Sequence, residues 1–173
     1  YVLESAEREG VSVVNKPGSL RDCNEKVFAT EFPECCTPFL VTSKASLLKS
    51  FIQDHKDTVI KPLDGMGGSS IFRLRNTDPN LNVILETITD SFMTKVMIQT
   101  YIPEITDGDK RILLINGKPM NAAVARVPAK GEFRGNLAAG ASAVARSLTE
   151  KDLWICEQVG PKLKELGLVL VGL

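Results

Sequence analysis

A lysine and three glycines lie close together in the segment Lys61-Pro-Leu-Asp-Gly-Met-Gly-Gly-Ser-Ser70. The runs rich in Val, Ile and other apolar residues on either side, 58–62 and 71–74, predict two strands joined by this loop. The glycines allow the backbone to turn and to approach a ligand closely. Backbone N–H groups beside two serine hydroxyls and an ammonium group suit a polyphosphate. A glycine-rich hairpin that binds nothing fits this stretch equally well.

This loop differs from the two commonest nucleotide-binding motifs. The chain contains no G-x-x-x-x-G-K-[ST] sequence, which excludes a P-loop enzyme. Residues 65–70 are only a partial G-x-G-x-x-G, and they lead into a predicted strand where a Rossmann site would open a helix. A phosphate bound here must therefore be held by loop N–H groups and lysine side chains.

A second group of cations is predicted from the turn at Asn116-Gly117, the strongest hairpin signal in the chain. A two-residue turn there makes Arg111 face residue 122. Arg111 and Arg126 then project from one face of the sheet, with Cα atoms about 13 Å apart. Two like charges on one face favour an anion or a carboxylate between them. A solvated face, or a register slipped by one residue, would remove this inference.

The segment 128–145 is rich in glycine and alanine and poor in large apolar residues. Loops of this length are uncommon inside compact domains and are often lids or binding loops. Arg134 and Asn136 lie within it, so we expect a lid that brings a further cation to the site. A disordered segment without function is the alternative.

The rest of the sequence predicts the elements that position these groups. Helical periodicity, caps and breakers predict helices over 1–10, 19–30, from 43 onward, 79–88 and 149–166. Apolar runs predict further strands over 11–14, 39–42 and 95–102. Helices between strands that are joined by hairpins indicate an α+β fold with a small lobe around the glycine loop.

Composition argues against several classes of function. The 173 residues carry 21 basic and 21 acidic side chains without a long run of one sign, so neither nucleic-acid nor membrane binding is expected. No apolar stretch could span a bilayer and no signal peptide is visible, so we expect a cytoplasmic protein. The four cysteines lack C-x-x-C spacing, which argues against zinc. Cys35 and Cys36 are expected to be free thiols, with a redox-active pair as the alternative.

The two ends of the chain lie inside predicted elements. Tyr1 opens what resembles the middle of an amphipathic helix, and Leu173 ends an apolar run. We therefore expect a piece of a longer protein.

Several motifs, in one order, carry a resemblance to a known family. They are Asn15-Lys-Pro17, Arg21-Asp-Cys-Asn-Glu-Lys26, Lys61-Pro-Leu-Asp64-Gly-Met-Gly-Gly68, Asp107-Gly-Asp109-Lys-Arg111, Ala125-Arg126-Val-Pro128 and Arg134-Gly-Asn-Leu-Ala-Ala-Gly140. Together they resemble bacterial glutathione synthetase of the ATP-grasp superfamily over essentially the whole chain. The glycine loop alone would indicate only ATP-grasp, whereas the full set is specific to the family.

The resemblance implies a partial ATP-grasp fold of the α+β class, with a small lobe that carries the glycine-rich hairpin and part of a core antiparallel sheet with a helix. It implies the start of the ATP-grasp region over 1–36, a small ATP-binding lobe over 37–103, and a partial core over 104–173 with a catalytic loop over 128–145. The implied enzyme is a ligase that joins γ-glutamylcysteine to glycine through an acyl phosphate, giving glutathione, ADP and phosphate.

The resemblance also implies roles for individual residues. The implied phosphate-binding residues are Lys26, Lys61, Gly67, Gly68 and Ser69. The implied adenine-binding segment contains Gln99, Tyr101 and Ile102, and Asp109 would lie near the ribose and metal. The residues implied to act on the phosphoryl group and the acyl phosphate are Arg111, Arg126 and Arg134.

The implied cofactors are ATP and Mg²⁺, with Mn²⁺ as an alternative to magnesium. No metal ligand is expected within the chain, because the family's acidic strands would follow Leu173. This piece alone is therefore expected to be inactive. The family further implies a homo-oligomer, a tetramer.

One departure from the family pattern leaves two other functions open. Ala141-Ser142-Ala143 follows Gly140 where the family usually has Gly-Arg-Gly, so a loop arginine is missing. The first alternative is another ATP-grasp carboxylate–amine ligase, such as a D-alanine ligase or a glutamate-adding enzyme. The second is a nucleotide-binding module that has lost catalysis.

Overall fold

Two antiparallel sheets, each covered on one face by helices, make up the α+β architecture that the sequence predicts. The computed structural model describes all residues from 1 to 173. The helices are α1 (Val2–Arg8), α2 (Pro17–Asp22), α3 (Glu25–Phe28), α4 (Ala45–His55), α5 (Leu81–Ile88) and α6 (Glu150–Glu165). The strands are β1 (Phe39–Thr42), β2 (Asp57–Pro62), β3 (Phe72–Arg75), β4 (Val96–Thr100), β5 (Asp109–Ile115), β6 (Lys118–Val127), β7 (Ser142–Ser147) and β8 (Leu170–Gly172). None of the helices combines the length and apolar composition that a membrane span requires.

The first sheet has the strand order β1-β4-β2-β3, and each neighbouring pair is antiparallel. Leu48 and Ile52 of α4 lie one turn apart and are fully buried with Leu85 of α5 and Ile60 of β2. Burial of such aliphatic side chains stabilises the fold by about 1.5–3 kcal/mol each. Because side chains alternate along a strand, Lys61 projects from the face opposite to Ile60. The apolar core therefore directs this lysine away from the helices.

The second sheet has the strand order β7-β6-β5-β8 and is also antiparallel. Helix α6 packs on one face, where Cys156 and Leu163 meet Ile112 and Leu114 of β5. Arg111 alternates with these buried residues and is exposed on the other face. Because the apolar side chains of β5 face α6, the cationic side chains that alternate with them lie on the opposite face of the sheet.

The N-terminal segment lacks the strand that was predicted over 11–14. The Asn15 side chain takes over the pairing instead, because it donates to the Leu170 carbonyl and accepts from the Leu170 N–H, both at 2.7 Å. A single amide side chain thereby satisfies both backbone groups of one β8 residue. The short apolar run 11–14 has the composition of a strand but pairs with no strand of either sheet.

The predicted helix over 19–30 is divided into α2 and α3. Asn24 accepts hydrogen bonds from the N–H groups of Lys26 and Val27 at 3.0 and 3.1 Å, and so caps a new helix. Asparagine side chains compete with the backbone in this way, which is why they favour helix starts over helix interiors. The break directs Lys26 towards the glycine loop.

The predicted hairpin at Asn116-Gly117 is confirmed, but its register is wrong farther from the turn. An irregularity in the pairing sets one residue of β5 opposite three of β6, so Arg111 lies opposite Val124 and not opposite residue 122. A shift by two residues keeps the side chains on the same face. Arg126 becomes a diagonal neighbour of Arg111, with Cα atoms about 7 Å apart.

Gly117→Ala is expected to lower the stability of the protein more than Gly131→Ala. Both glycines have positive φ, +76° and +85°, a conformation that costs an alanine about 1–2 kcal/mol. Only at Gly117 would a Cβ also meet another element, because it would lie 2.5 Å from the Gly160 carbonyl oxygen on α6. The urea midpoints of the two variants measure the difference. Equal midpoints would contradict the close contact between the hairpin and α6.

Candidate functional site

Two adjoining cavities lie between the sheets, with volumes of about 510 Å³ and 280 Å³. The predicted site residues that line the larger cavity are Lys26, Lys61, Gly67, Gly68, Gln99, Ile102, Arg111 and Arg126. Those that line the smaller cavity are Lys61, Gln99, Tyr101, Ile102, Asp109 and Arg134. Ser69 is exposed and lines neither. Because Lys61, Gln99 and Ile102 belong to both walls, the two cavities form one continuous site.

Lys26 holds the glycine loop in position. Its side chain is 11% exposed, and the ammonium group donates to the Gly65 carbonyl at 2.7 Å, to the Leu63 carbonyl at 3.3 Å, and to the Glu25 carboxylate at 2.9 Å. Asn24 supports the same contact, because its side-chain amide also donates to Leu63 O at 3.1 Å. These bonds attach α3 to the start of the loop and leave Lys26 at the cavity wall.

Lys61 is a largely buried cation without an acceptor. Its side chain makes no hydrogen bond and no ion pair within the chain, although it lines both cavities. Burial lowers the pKa of Lys61, and the nearby charge of Lys26 lowers it further. A bound anion would stabilise the charged form of Lys61 and raise its pKa again, so this position favours a negatively charged ligand.

The two arginines of the second sheet differ in their partners. Arg126 pairs in a bidentate manner with Asp109 on the neighbouring strand, at 2.7 Å from Nε and 2.8 Å from Nη2. Arg111 has no carboxylate partner and lies over Gly172, where an added Cβ would come within 2.8 Å of its Cδ. The sequence predicts an anion or a carboxylate between the two arginines, whereas Asp109 neutralises Arg126 alone and does not bridge them.

The segment between β6 and β7 covers the glycine loop. It is shorter than predicted, because Ser142–Ser147 pair with β6 as an edge strand and leave residues 128–141 as the connecting loop. Arg134 donates to the Gly68 carbonyl at 3.1 Å and to the Glu132 carboxylate at 2.5 Å. The loop is thus attached to the roof of the larger cavity through a guanidinium group.

Two glycines permit this close approach. An added Cβ at Gly68, which has φ of +81°, would lie 2.6 Å from the Asn136 side-chain oxygen. An added Cβ at Gly135 would lie 2.9 Å from the Asp109 carboxylate. The 128–141 loop therefore contacts both the glycine hairpin and the second sheet.

The connection between the sheets carries Tyr101 and Ile102. The Tyr101 N–H donates to the Asp57 carbonyl at 3.0 Å, which extends the pairing with β2 by one residue. The Ile102 N–H has no acceptor within the chain, and Ile102 lines both cavities. A free backbone donor beside an apolar wall is suited to a flat ligand with a ring nitrogen.

Asn136 is a site residue that the sequence reasoning did not assign. It lines both cavities and lies against Gly68. The only feature of the sequence that pointed to Asn136 as a site residue was its position in the glycine- and alanine-rich segment, directly after Gly135. The thiols of Cys35 and Cys36 also line the larger cavity, and all four cysteines are free, as expected.

An apolar cavity of about 460 Å³ between α2, α3 and α6 adjoins the larger cavity, with which it shares Glu25, Cys35 and Cys36. Glu25 is its only charged lining residue, so it lacks the cations that a polyanion needs. The chain also contains no group of three or more His, Cys, Asp or Glu side chains that could hold a metal ion. Asp109 is already paired with Arg126.

Comparison with known proteins shows which family the chain is similar to. The family model described as prokaryotic glutathione synthetase, ATP-grasp domain, matches residues 25–173. The chain is 59% identical over 173 residues to glutathione synthetase of Pseudomonas putida and 58% identical to that of Pseudomonas aeruginosa. Both alignments cover 100% of this chain and 55% of the relative, so the chain spans about half the length of these curated relatives.

A solved structure extends the likeness to the fold. The ATP-grasp ligase PsnB, complexed with a minimal precursor, Mg and ADP, superposes with a TM-score of 0.65 at 18% identity. The match covers 96% of this chain and 49% of that chain. The two antiparallel sheets are therefore arranged as in an ATP-grasp fold.

The order of the 128–141 loop is expected to depend on the ionisation of Glu132. The Arg134 guanidinium, with the N–H groups of Phe133 and Arg134, lowers the pKa of Glu132 from 4.5 to about 2. A lowered folded-state pKa stabilises the loop above the ordinary pKa and loses that effect as the pH falls towards the folded value. Hydrogen exchange of 128–141, corrected for intrinsic rates, should be constant at neutral pH and accelerate below 4.5.

Glu132→Gln supplies the control for this loop measurement. The variant should exchange faster than the unmodified protein at neutral pH and should lack the acidic transition. A variant with the same exchange profile as the unmodified protein would contradict a role for the Glu132–Arg134 pair.

Proposed function

Because the chain belongs to the prokaryotic glutathione synthetase ATP-grasp family, we propose that this protein is an ATP-dependent ligase that joins γ-glutamylcysteine to glycine. The observation that carries the proposal is the convergence of Lys26, Lys61, Arg111 and Arg126 on one cavity, against one lining carboxylate, Glu25. A triphosphate and a substrate carboxylate are the kind of anions that this excess of cations would attract.

ATP would lie across the two cavities. Its phosphates would be next to Lys26 and Lys61 and below Gly67 and Gly68, in the larger cavity. Its base would lie against Tyr101 and Ile102, where the free Ile102 N–H can donate to a ring nitrogen. Gln99 lines both cavities and Asp109 lines the smaller one, so the ribose would lie between the base and the arginines.

The proposed reaction has two steps. The cysteinyl carboxylate of γ-glutamylcysteine attacks the γ-phosphorus of ATP, the bond to ADP breaks, and an acyl phosphate forms. The glycine amine then attacks the acyl carbon, loses a proton, and phosphate leaves. The first step brings two anions together, and the second develops negative charge on the acyl oxygen and the leaving phosphate, so positive groups that are already in position lower both barriers. Arg111 and Arg126 have this role in the proposal, since both line the larger cavity.

The 128–141 loop would exclude water from the acyl phosphate. Its contacts with Gly68 and Asp109 span the cavity opening from one sheet to the other. Exclusion of water prevents hydrolysis of a reactive intermediate and strengthens the electrostatic interactions inside the site. Arg134 would add its charge when it exchanges the Glu132 carboxylate for a phosphate oxygen.

The proposal divides the chain into an entry segment over 1–36, a small ATP-binding lobe over 37–103 and a partial core over 104–173. The first sheet lies within 37–103 and the second within 104–173. The residues of this chain do not supply a ligand set for Mg²⁺ or Mn²⁺. A cytoplasmic location and a tetramer remain parts of the proposal that rest on the family resemblance.

The intact protein is expected to release ADP from ATP with Mg²⁺ only when γ-glutamylcysteine and glycine are both present. A coupled ADP assay with single omissions measures this dependence. Turnover with D-alanine or glutamate in place of glycine would indicate another ATP-grasp ligase. Nucleotide binding without ADP release would indicate a catalytically silent module.

Lys61→Ala and Arg126→Ala are expected to affect different kinetic constants of the intact protein. Loss of Lys61 removes a charged contact to ATP and should weaken ATP binding about 10- to 100-fold by calorimetry. Loss of Arg126 should lower kcat about 100-fold or more while the KM for ATP changes little. Unchanged ATP affinity in the first variant, or a pure KM effect in the second, would contradict these roles.

A further inference from the structure

Arg73 on β3 lies behind the wall of the smaller cavity. Its guanidinium carbon is 3.6 Å from the centroid of the Tyr101 ring, and that ring lines the cavity. Arg73 itself lines neither of the two cavities between the sheets. A ligand in the site would therefore contact Tyr101, and Arg73 could act only through it.

Asp57 ties this arginine to the connection between the sheets. Its two carboxylate oxygens accept from Arg73 Nε at 2.8 Å and Nη2 at 2.6 Å. Its backbone carbonyl accepts the Tyr101 N–H at 3.0 Å. One residue at the start of β2 thus restrains both the main chain of Tyr101 and, through Arg73, the face of its ring.

This arrangement limits the freedom of both side chains. A bidentate carboxylate fixes the plane of a guanidinium group as well as its position. A guanidinium placed over an aromatic face attracts the ring and favours one orientation of it. Ile102, whose N–H is free, follows Tyr101 directly in the chain. The orientation of Tyr101 therefore affects both the cavity wall and the adjacent backbone donor.

We propose that Arg73 is a positioning residue for the nucleotide base, which it serves by holding Tyr101 and the following backbone in the orientation that receives the base. This role rests on the proposed function, because it assumes that the ligand of the smaller cavity is the base of ATP. It assigns no contact between Arg73 and the nucleotide. It predicts that loss of Arg73 weakens recognition of the base and leaves recognition of the phosphates unchanged.

Arg75 provides a matched control within the same cluster. Its Nε and Nη2 donate to Asp57 Oδ2 at 3.2 and 3.0 Å, so either arginine can be removed while the other stays paired with the carboxylate. Both arginines lower the pKa of Asp57, Arg73 more strongly. Only Arg73 lies over Tyr101. A comparison of the two separates the effect on the ring from the loss of an ion pair.

The experiment compares Arg73→Gln with Arg75→Gln in the intact protein, with ATP affinity measured by calorimetry and inorganic tripolyphosphate as a second ligand. Arg73→Gln should weaken ATP binding about tenfold, while Arg75→Gln should change it less than about twofold. Tripolyphosphate affinity should be unchanged in both. The KM for ATP should rise in Arg73→Gln without loss of kcat, and Arg73→Lys, which keeps a cation over the ring, should recover part of the affinity.

Tyr101→Leu completes a double-mutant cycle. Arg73→Gln should add little to the effect of Tyr101→Leu, because the ring through which Arg73 acts is already absent. Equal losses in the two arginine variants, weakened tripolyphosphate binding, or additive effects in the cycle would each overturn the positioning role. Absence of ATP binding in the unmodified protein would instead overturn the proposed function, and the two failures are thereby distinguished.

Discussion

The two sheets are arranged around cationic side chains that have no carboxylate partner within the chain. Lys61 projects into the cavity from the first sheet and Arg111 from the second, and neither meets a carboxylate. Lys61 is partly buried, so it loses hydration and is repelled by the nearby charge of Lys26, and both effects destabilise the fold unless an anion is bound. The chain tolerates this because each sheet has its apolar core on the outer face, under α4 and α5 or under α6. The charged side chains therefore lie on the inner faces of the sheets.

The other cations of the site have hydrogen-bond partners within the chain, so they contribute to the site in a different way from Lys61 and Arg111. Lys26 is bound to the carbonyl groups of the glycine loop, Arg126 to Asp109, and Arg134 to Glu132 and Gly68. A paired cation contributes less net charge, but its geometry is fixed before a ligand arrives, and preorganisation of this kind lowers the cost of stabilising a developing charge. In the proposed site, the unpaired cations would attract the ligand, and the paired cations would provide groups that are already fixed in position.

Local signals in the sequence were sufficient for much of the fold and for part of the site. The Asn116-Gly117 turn, the amphipathic helix α4 and the glycine hairpin each depend on neighbouring residues, and each is present. The strand expected over 11–14 is absent because the Asn15 side chain, and not the backbone of 11–14, bonds to the edge strand β8, a contact between distant segments that no local pattern reports. Asn136 was not assigned for a similar reason, since its contact with Gly68 joins segments far apart in sequence. The roles predicted for the arginines rested on the family resemblance. The prediction that they share one face rested on the alternation of side chains along a strand.

The register of β5 and β6 shows how a constraint on the core shapes the site. A slip by one residue would have moved Arg111 under α6, which the buried Ile112 and Leu114 prevent. A shift by two satisfies the core equally well and brings Arg111 and Arg126 from about 13 Å to about 7 Å apart between their Cα atoms. The smaller separation lets the two long side chains reach one phosphoryl group more easily, which would allow the joint action on one transferring group that the proposed function assigns to them.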